Sequence, residues 1–456
     1  MHAALALATV LLTPGGAAGG APPPCIETKL TASDTAREQH FGGAVNIDGD
    51  VAVVGADGNG QYESYPGAAY VFRRVGSAWV QEQKLVASDS AEGDGFGTAV
   101  AVDGSTIMVA SHNFSGSYGA VYVFEWEGTL WVQRQKLVAP DPNPGGHFGW
   151  SVAVDGDIAA IGQYGDEFSG ADAAGAVCVF RRTGTLWILE QKLIPHDSVP
   201  QGYDFFGVSV AVNGNLIVGG ARLMDEGRGA AYVFRWNGTT WVEEQKLTRA
   251  QSEQHGSFGQ SVAVWGATTL VGSPDNGAPN YGPGTVSVFR HNGFMWVESQ
   301  TLTAADGGPG DHFGGSVSLH GNRALVQAAG IPDPGTPFGV AYVYEFGGEE
   351  WVEKRRLTSR PDVGQYGGFG AVALANRYAV VGAAGDDDAC PTDPYCNSGA
   401  AYIFDINLCL NPIPAVSTWG LAVIGLSLGG IGTLLIRKRL APQRKGCARI
   451  AAPKKP

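Results

Sequence analysis

The sequence predicts an all-β protein built from repeats, and three observations support this prediction. Glycine accounts for 68 of the 456 residues without a collagen-like period, which indicates many tight turns between short strands. Between positions 25 and 408, apolar and aromatic residues alternate with glycine-rich breaks and show little helical spacing. A Phe-Gly pair also recurs seven times at intervals of 52 to 58 residues, and such a period indicates a repeat architecture.

The first half of each unit has the pattern of a β-hairpin. An apolar run follows each Phe-Gly pair, then usually a short turn such as Asp103-Gly104 or Asn213-Gly214, and then a second apolar run. Asp-Gly and Asn-Gly tolerate positive φ, which favours a two-residue hairpin turn. The seven pairs are Phe41-Gly42, Phe96-Gly97, Phe148-Gly149, Phe206-Gly207, Phe258-Gly259, Phe313-Gly314 and Phe369-Gly370.

The second half of each unit adds two more predicted strands. The third run has a Gly-Ala-like start and an aromatic end, at 67–72, 119–124, 175–180, 229–234, 284–289, 339–344 and 399–404. The fourth run starts at a tryptophan and ends in Lys-Leu or a relative, at 79–85, 131–137, 187–193, 241–247, 296–302 and 351–357. The recurrence of its leading tryptophans indicates packing between units rather than a ligand box: Trp79, Trp131, Trp187, Trp241, Trp296 and Trp351.

Seven four-stranded units of about 50 residues predict a seven-bladed β-propeller over residues 25–408. The seventh unit has no fourth strand of its own. The segment ETKLTASD at 27–34 matches the end of a fourth strand, and we expect this N-terminal strand to close the ring.

The cysteines fit this closure. Offsets taken from the fourth unit place Cys25 and Cys409 on either side of the missing turn, where a disulfide would tie the ring shut. Cys390 and Cys396 lie in one loop and are expected to form a second, local bridge, although free or metal-bound thiols remain the alternative for both pairs. Cys178 replaces a recurrent third-strand tyrosine and is expected to be a buried, inert thiol.

Both ends of the chain indicate export. Residues 1–21 contain an apolar run at 3–12 followed by small residues, as in a secretory signal peptide. The apolar segment 421–436 is long enough for a transmembrane helix, and the basic residues that follow predict that the tail at 440–456 stays in the cytoplasm. Cys447 in that tail is expected to be reduced.

The charge distribution argues against nucleic acid as a partner. Residues 1–436 carry 22 basic and 43 acidic side chains, a net charge of −21, and the other eight basic residues follow Ile436. A strongly acidic exported part would repel a polyanion.

The recurrent Phe-Gly and Gly-Ala pattern over residues 25–408 resembles the FG-GAP repeat, the propeller unit of integrin α-chain heads and of many bacterial surface proteins. The resemblance implies adhesion or ligand recognition. Calcium-binding members use a DxDxDG-type loop between the first two strands, but here that connection is as short as Asp48-Gly49-Asp50. Calcium is therefore not predicted at that place and no cofactor is implied. Asp386, Asp387 and Asp388 are the nearest metal candidates, with a solvated loop as the simpler interpretation.

The segment at 411–439 resembles the IPTL-CTERM sorting signal, which exosortase-type membrane enzymes process in Gram-negative bacteria. Ile413, Pro414, Trp419 and Gly420 match that motif, and Ala415-Val416 stands where its Thr-Leu would be. The resemblance implies an exosortase-type enzyme as partner, transient anchoring in the inner membrane through the C-terminal helix, and a final place at the cell envelope or surface.

The long connections between strands two and three are expected to emerge at one end of the propeller and to form the working surface. Aromatic residues in these loops would suit a surface glycan or a protein ligand, and packing of the loops onto the propeller is the alternative. These residues are Tyr62, Tyr65, Phe114, Tyr118, Tyr164, Phe168 and Tyr281. His40, His147 and His312 each precede a Phe-Gly pair, so the repeat explains them better than a catalytic role does.

No catalytic signature is present in the sequence: HExxH, GxxxxGK and CxxC are missing, and there is no GxSxG nucleophile elbow, since that spacing occurs only at 425–429 inside the apolar segment 421–436. We therefore expect a noncatalytic recognition or adhesion protein. A structural component of a matrix or biofilm is one alternative. A propeller hydrolase or lyase with its site at the channel mouth is another, since fold alone does not decide function.

Overall fold

The computed structural model describes residues 25, 27–34, 39–58, 66–167, 173–198, 203–249, 256–274, 282–330, 339–358, 370–386 and 398–410. These residues form seven antiparallel sheets of four strands each. The first strands of successive sheets contact one another in order, and that of the seventh contacts that of the first. The predicted seven-bladed β-propeller is therefore confirmed.

The first four blades each use four consecutive strands. Blade 1 contains β2 (Phe41–Asp48), β3 (Val51–Ala56), β4 (Ala68–Val75) and β5 (Ala78–Leu85), preceded in the chain by β1 (Glu27–Leu30). Blade 2 contains β6 (Phe96–Asp103), β7 (Thr106–Ser111), β8 (Ala120–Trp126) and β9 (Trp131–Leu137), with the single turn α1 (Phe114–Ser117). Blade 3 contains β10 (Ser151–Asp155), β11 (Ile158–Gln163), β12 (Ala176–Thr183) and β13 (Leu186–Leu193). Blade 4 contains β14 (Phe206–Asn213), β15 (Leu216–Ala221), β16 (Ala230–Trp236) and β17 (Trp241–Leu247), with the single turn α2 (Met224–Gly227).

The remaining blades follow the same order. Blade 5 contains β18 (Ser261–Trp265), β19 (Thr268–Ser273), β20 (Thr285–His291) and β21 (Trp296–Leu302). Blade 6 contains β22 (Val317–His320), β23 (Arg323–Ala328), β24 (Val340–Phe346) and β25 (Trp351–Thr358). Blade 7 contains β26 (Val372–Leu374), β27 (Tyr378–Ala383) and β28 (Ala400–Asp405), followed by the short helix α3 (Ile406–Leu410).

The N-terminal strand completes blade 7. Strand β1 pairs antiparallel with β28, with Leu30 opposite Ala401 and Glu27 opposite Phe404. Next to this pairing Cys25 and Cys409 form a disulfide with a Cα–Cα distance of 4.8 Å, as the sequence predicted. Cys178 is buried and free, and burial raises the pKa of its thiol to about 12. Cys390 and Cys396 lie outside the described residues.

The Phe-Gly and Gly-Ala motifs meet at the junction between blades. The phenylalanine is fully buried and packs edge-on against aromatic residues of the third strand of its own blade; Phe96, for example, lies 5.5 Å from Tyr122. Its backbone also forms a parallel bridge to the glycine that precedes the third strand of the preceding blade, as between Phe96 and Gly67. Six junctions in the described part of the chain use this same contact, which explains why both motifs recur.

The fourth strands of neighbouring blades are joined by a recurrent pair of hydrogen bonds from a glutamine side chain. The side chain of Gln83 in blade 1 donates to the carbonyl of Trp131 in blade 2 and accepts from its amide, each at 2.8 Å. The same pair of bonds joins Gln135 to Trp187, Gln191 to Trp241, Gln245 to Trp296 and Gln300 to Trp351. The leading tryptophans are thus part of the packing between blades, and the Gln of each QKL-type ending holds the next one in place.

A third recurrent contact joins the loop between blades to the blade that follows. The Asp89 carboxylate accepts a hydrogen bond from the Tyr122 hydroxyl at 2.8 Å and pairs with Lys136 at 2.7 Å. Asp34 and Asp197 make the same two contacts in blades 1 and 4. The Asp-Tyr-Lys contact explains why the third strands carry a tyrosine and the fourth strands a lysine.

Segments at both ends of the chain lie outside the described residues, including the predicted signal peptide at 1–21, the sorting segment at 411–439 and the tail at 440–456. Within the described part of the chain, no helix has the length and apolar character needed to cross a membrane.

Candidate functional site

The two ends of the propeller differ, because strand direction alternates within each blade. One end carries the short turns between strands one and two and between strands three and four, and we call it the tight-turn face. The other carries the connections between strands two and three and between blades, and we call it the long-loop face. Neighbouring hairpins on the tight-turn face are linked in part of the ring, since Asp48 accepts from the Gly104 amide and Asp103 from the Gly156 amide.

A group of rings on the long-loop face forms the candidate site. We call it the aromatic patch and define it as His112, His147, Trp150, Tyr164 and Phe205. Three successive blades supply these rings. His112 follows the second strand of blade 2, Tyr164 follows the second strand of blade 3, and Phe205 directly precedes the first strand of blade 4.

The Phe-Gly motif positions part of the aromatic patch. His147 and Phe205 each directly precede the phenylalanine of a Phe-Gly pair and have positive φ values of 52° and 56°. His40 and His312 have the same backbone conformation at the equivalent positions, with φ of 51° and 53°. This tight turn, in which the Trp150 amide donates to the His147 carbonyl at 3.1 Å, directs both side chains toward the loops.

The rings of the aromatic patch form a continuous series. Tyr164 stacks on His147 at 5.1 Å between centroids and lies 4.6 Å from Trp150 in an edge-on arrangement. His112 lies 5.0 Å from Trp150 and 5.5 Å from His147, and Phe205 lies 5.2 Å from Tyr164. These separations match the favoured range for aromatic pairs, so the rings support one another as a rigid surface.

One side of the aromatic patch is open to solvent. Trp150 is 36% exposed, and Tyr203, which lies 6.5 Å from Phe205, is 57% exposed. At the same edge the Arg222 guanidinium lies 5.5 Å from the Phe205 ring and donates to the side-chain Oε1 of Gln260 at 3.0 Å. The patch therefore combines an accessible aromatic surface with a cationic, hydrogen-bonding edge.

Burial keeps the two histidines of the patch neutral at pH 7. It lowers the pKa of His112 to about 4, with the neighbouring His147 as a second cause, and it also lowers the pKa of His147. The Nδ1 atoms of both rings are buried and lack a hydrogen-bond partner among the described residues. Both side chains therefore act as uncharged rings in this surface.

The loop aromatics predicted from the sequence occupy different places. Tyr164 belongs to the aromatic patch. Phe114 lies in α1, where the Lys136 ammonium is 3.3 Å from its ring centroid and the ring packs on the core of blades 1 and 2. Tyr118 follows α1, and its carbonyl accepts from the Phe148 amide at 3.2 Å. The others lie outside the described residues: Tyr62, Tyr65, Phe168 and Tyr281.

Sequence reasoning missed most of the patch. The sequence pattern explains His147 only as part of the repeat and does not mark His112 or Phe205. One signal was available for Trp150, since it follows a Phe-Gly pair where the other units have Gly43, Thr98, Val208, Gln260, Gly315 and Ala371. A large ring at a position that is elsewhere small or polar marks a departure from the repeat.

The metal candidate predicted from the sequence is engaged in a structural contact. Asp386 is 1% exposed, pairs with Lys29 of β1 at 2.8 Å and accepts from the Tyr402 hydroxyl at 2.7 Å. It holds the closing strand in blade 7 by binding a third-strand tyrosine and a fourth-strand lysine, as the aspartates between blades do elsewhere, although Asp386 itself lies between strands two and three. Asp387 and Asp388 lie outside the described residues. In the part of the chain that the structure describes, no group of three or more His, Cys, Asp or Glu side chains could hold a metal ion.

The central channel contains a cavity of about 210 Å³ lined by the first strands. Its walls are mainly small apolar side chains, among them Val102, Val154, Val212 and Val264. Asn46 and Ser318 are the polar residues among the described lining, which holds no acidic, basic or histidine side chain.

Comparison with known proteins agrees with this architecture. No curated protein matches the chain. The FG-GAP repeat family matches seven segments, at residues 26–72, 79–124, 131–180, 187–234, 241–289, 296–344 and 351–404. Each matched segment begins near the start of a fourth strand and runs through the third strand of the next blade, so the family repeat spans the junction between blades. The chain belongs to the FG-GAP repeat family.

Proposed function

We propose that this protein is an exported, noncatalytic component of the cell envelope that recognises a ligand through the long-loop face. The observation that carries this proposal is the aromatic patch, in which three blades bring neutral rings together with one edge open to solvent. A scaffold that holds loops rigidly is a favourable place for binding residues.

The chemistry of the aromatic patch favours a ligand with both apolar and hydrogen-bonding groups, such as a surface glycan or the surface of a protein. Rigid rings such as Trp150 and Tyr203 supply contact area at little cost in side-chain entropy. Arg222 at the edge would add a hydrogen-bond donor. The neutral state of His112 and His147 favours ring stacking over the binding of an anion.

The proposal of export has support from two sources. The Cys25–Cys409 disulfide closes the ring, and structural disulfides persist mainly in oxidising compartments. The sequence adds the signal-like segment at 1–21 and the sorting-signal-like segment at 411–439. We propose that an exosortase-type enzyme processes the latter after transient membrane anchoring, and that the propeller then remains at the envelope or surface.

The test is a binding screen of the oxidised full-length protein against a glycan array and envelope extracts, followed by affinity measurements on each hit. We expect Trp150→Ala to raise Kd at least tenfold, since truncation of a central aromatic contact typically costs about 2 kcal/mol or more. Trp265→Ala is the matched control, because Trp265 is 39% exposed on the opposite face.

The possible results separate the alternatives. Saturable binding that both substitutions weaken equally would place the ligand elsewhere. Failure to find any saturable ligand would contradict the recognition proposal and favour a structural role in a matrix.

A further inference from the structure

The tight-turn face carries a set of exposed apolar side chains, which we call the apolar rim. Most of them lie at the turns between strands three and four, and one lies at an inner turn. Phe294 is the most exposed of the set, at 94%. The apolar rim consists of Val75 in blade 1, Leu130 in blade 2, Leu186 in blade 3, and Trp265, Phe294 and Met295 in blade 5.

The fold itself does not require apolar residues at these turns. Blade 4 has Thr239 and Thr240 where blade 5 has Phe294 and Met295, and blade 6 has Glu349 and Glu350. The three hairpins have the same backbone closure, in which the amide of the residue four positions before the leading tryptophan donates to the carbonyl of the residue directly before that tryptophan. The backbone closure of these turns therefore does not require apolar side chains.

The closing bonds of these hairpins are nearly identical. The backbone amide of Asn237 donates to the Thr240 carbonyl at 3.1 Å in blade 4, and that of Asn292 donates to the Met295 carbonyl at 3.0 Å in blade 5. In blade 6 the Gly347 amide donates to the Glu350 carbonyl, also at 3.0 Å. Since polar and apolar turns close in the same way, the exposed apolar side chains call for an explanation outside the fold.

The chain leaves the propeller on this same face. Strand β28 ends beside the turn between β26 and β27, where the Ile406 amide of α3 donates to the Arg377 carbonyl at 2.8 Å. Arg323 binds the Asn407 side chain at 2.7 Å and fixes the start of α3 there. Only ten residues separate Leu410 from the apolar segment 421–436, and ten residues span at most about 35 Å. A membrane anchor in that segment would hold the tight-turn face near the bilayer.

The charges on the tight-turn face argue against attraction to anionic lipid headgroups. The tight-turn face carries carboxylates such as Asp50, Glu349 and Glu350 beside cations such as Arg74, so it has no uniform positive field. Attraction to anionic headgroups would need such a field. Apolar and aromatic side chains can be buried in the interface of a zwitterionic bilayer without a positive field on the protein.

We propose that the apolar rim is a lipid-contact surface, which rests on a zwitterionic bilayer while the chain is anchored. This inference rests on the membrane anchor in the proposed function. It orients the molecule, because contact through the tight-turn face points the aromatic patch away from the membrane toward its ligand.

The test uses the full-length oxidised protein with Cys447→Ser and one environment-sensitive fluorophore attached to a single introduced cysteine. Phe294→Cys and Leu186→Cys report on the apolar rim, and Tyr203→Cys on the long-loop face is the matched exposed control. Each protein is reconstituted into vesicles of phosphatidylcholine and phosphatidylethanolamine that contain doxyl-labelled lipid. Flotation of the vesicles measures anchoring separately from contact.

We expect all three proteins to float, and the labels at 294 and 186 to be quenched at least threefold more than the label at 203, at both low and high salt. Flotation with equal quenching at all three positions would overturn the lipid contact and leave the anchor intact. Shielding of the label at 294 without vesicles, increasing with protein concentration, would assign the rim to a second copy and also overturn the proposal. A chain that does not float would overturn the anchor and this inference together.

Discussion

The indole nitrogens of the leading tryptophans show how single residues adapt the repeat. A β-bulge in the fourth strand directs Glu82, Glu190 and Glu244 toward the tryptophan of the next blade, whose Nε1 donates to the carboxylate at 2.8 to 3.2 Å. Blade 5 has Ser299 at the bulge, and the Nε1 of Trp351 is buried without a hydrogen-bond partner among the described residues.

Ser299→Glu should therefore stabilise the protein. The new carboxylate would lie where Glu244 lies in blade 4 and could accept from Trp351, with Arg290 nearby in the position of Arg235. We expect the free energy of unfolding to rise by about 1 kcal/mol, the usual net value of a buried hydrogen bond. Urea denaturation measures it, and Glu244→Ser is the reverse control, with a loss of similar or greater size. A destabilised Ser299→Glu variant would contradict this account.

The His112 side chain should make stability depend on pH. Its pKa of about 4 in the folded protein lies below the ordinary value of 6.5, so the unfolded chain binds more protons between these values. The stabilising contribution is complete above about pH 6.5 and is lost as the pH falls toward 4, to a total of at most about 3 kcal/mol.

Urea denaturation at pH 7.5 and pH 4.5 checks this prediction. We expect the loss of stability between these pH values to be smaller in His112→Gln than in the native protein, because the glutamine does not titrate. An equal loss in both proteins would show that His112 is not the group responsible.

At the scale of elements, the junction between neighbouring blades depends on close backbone approach. Gly67 precedes the third strand of blade 1 with φ of +84°, and a Cβ there would lie 2.1 Å from the Phe96 carbonyl oxygen of blade 2. Neither the backbone conformation nor the space admits a side chain, which explains the glycine of the Gly-Ala motif.

Gly67→Ala should accordingly destabilise the protein by about 3 kcal/mol or more, since strain and a backbone clash add. Gly76→Ala is the matched control: its φ is +64°, but a Cβ would meet nothing within 4 Å. For Gly76→Ala we expect the free energy of unfolding to fall by only about 1 to 2 kcal/mol, the cost of placing a non-glycine residue in the left-handed conformation. Thermal and urea denaturation compare the two variants, and equal losses would show that close approach at the junction is unimportant.

At the scale of the whole molecule, the ring depends on one closure. Strand β1 and strand β28 come from opposite ends of the chain segment that forms the propeller, and the Cys25–Cys409 disulfide spans 384 residues. A cross-link over so long a loop removes much entropy from the unfolded chain.

Replacing both cysteines, as in Cys25→Ser with Cys409→Ser, should lower the free energy of unfolding by about 3 to 5 kcal/mol. Denaturation under oxidising conditions measures the loss. Cys390→Ser with Cys396→Ser is the control, because any bridge there would close a short loop and contribute less. A loss below about 1 kcal/mol for the first pair would show that the β1–β28 pairing closes the ring unaided.

The repeat made the fold predictable. Strand order, blade number, the closing strand and the Cys25–Cys409 pair all follow from patterns that recur in register, because every blade buries the same faces against its neighbours. A recurring pattern describes what the blades share and not what distinguishes one blade from another. The pattern therefore does not identify Trp150 and Phe205 as parts of a site.

The sequence by itself thus determined a seven-bladed, all-β ring and the means of its closure, since local periodicity and turn chemistry specify each hairpin. Only the tertiary structure decided which departures from the repeat meet in space. His112, Trp150 and Phe205 come from loops of three different blades, and the ring geometry alone brings them into one surface. Their contacts depend on how neighbouring blades are packed, which no local pattern in the chain records.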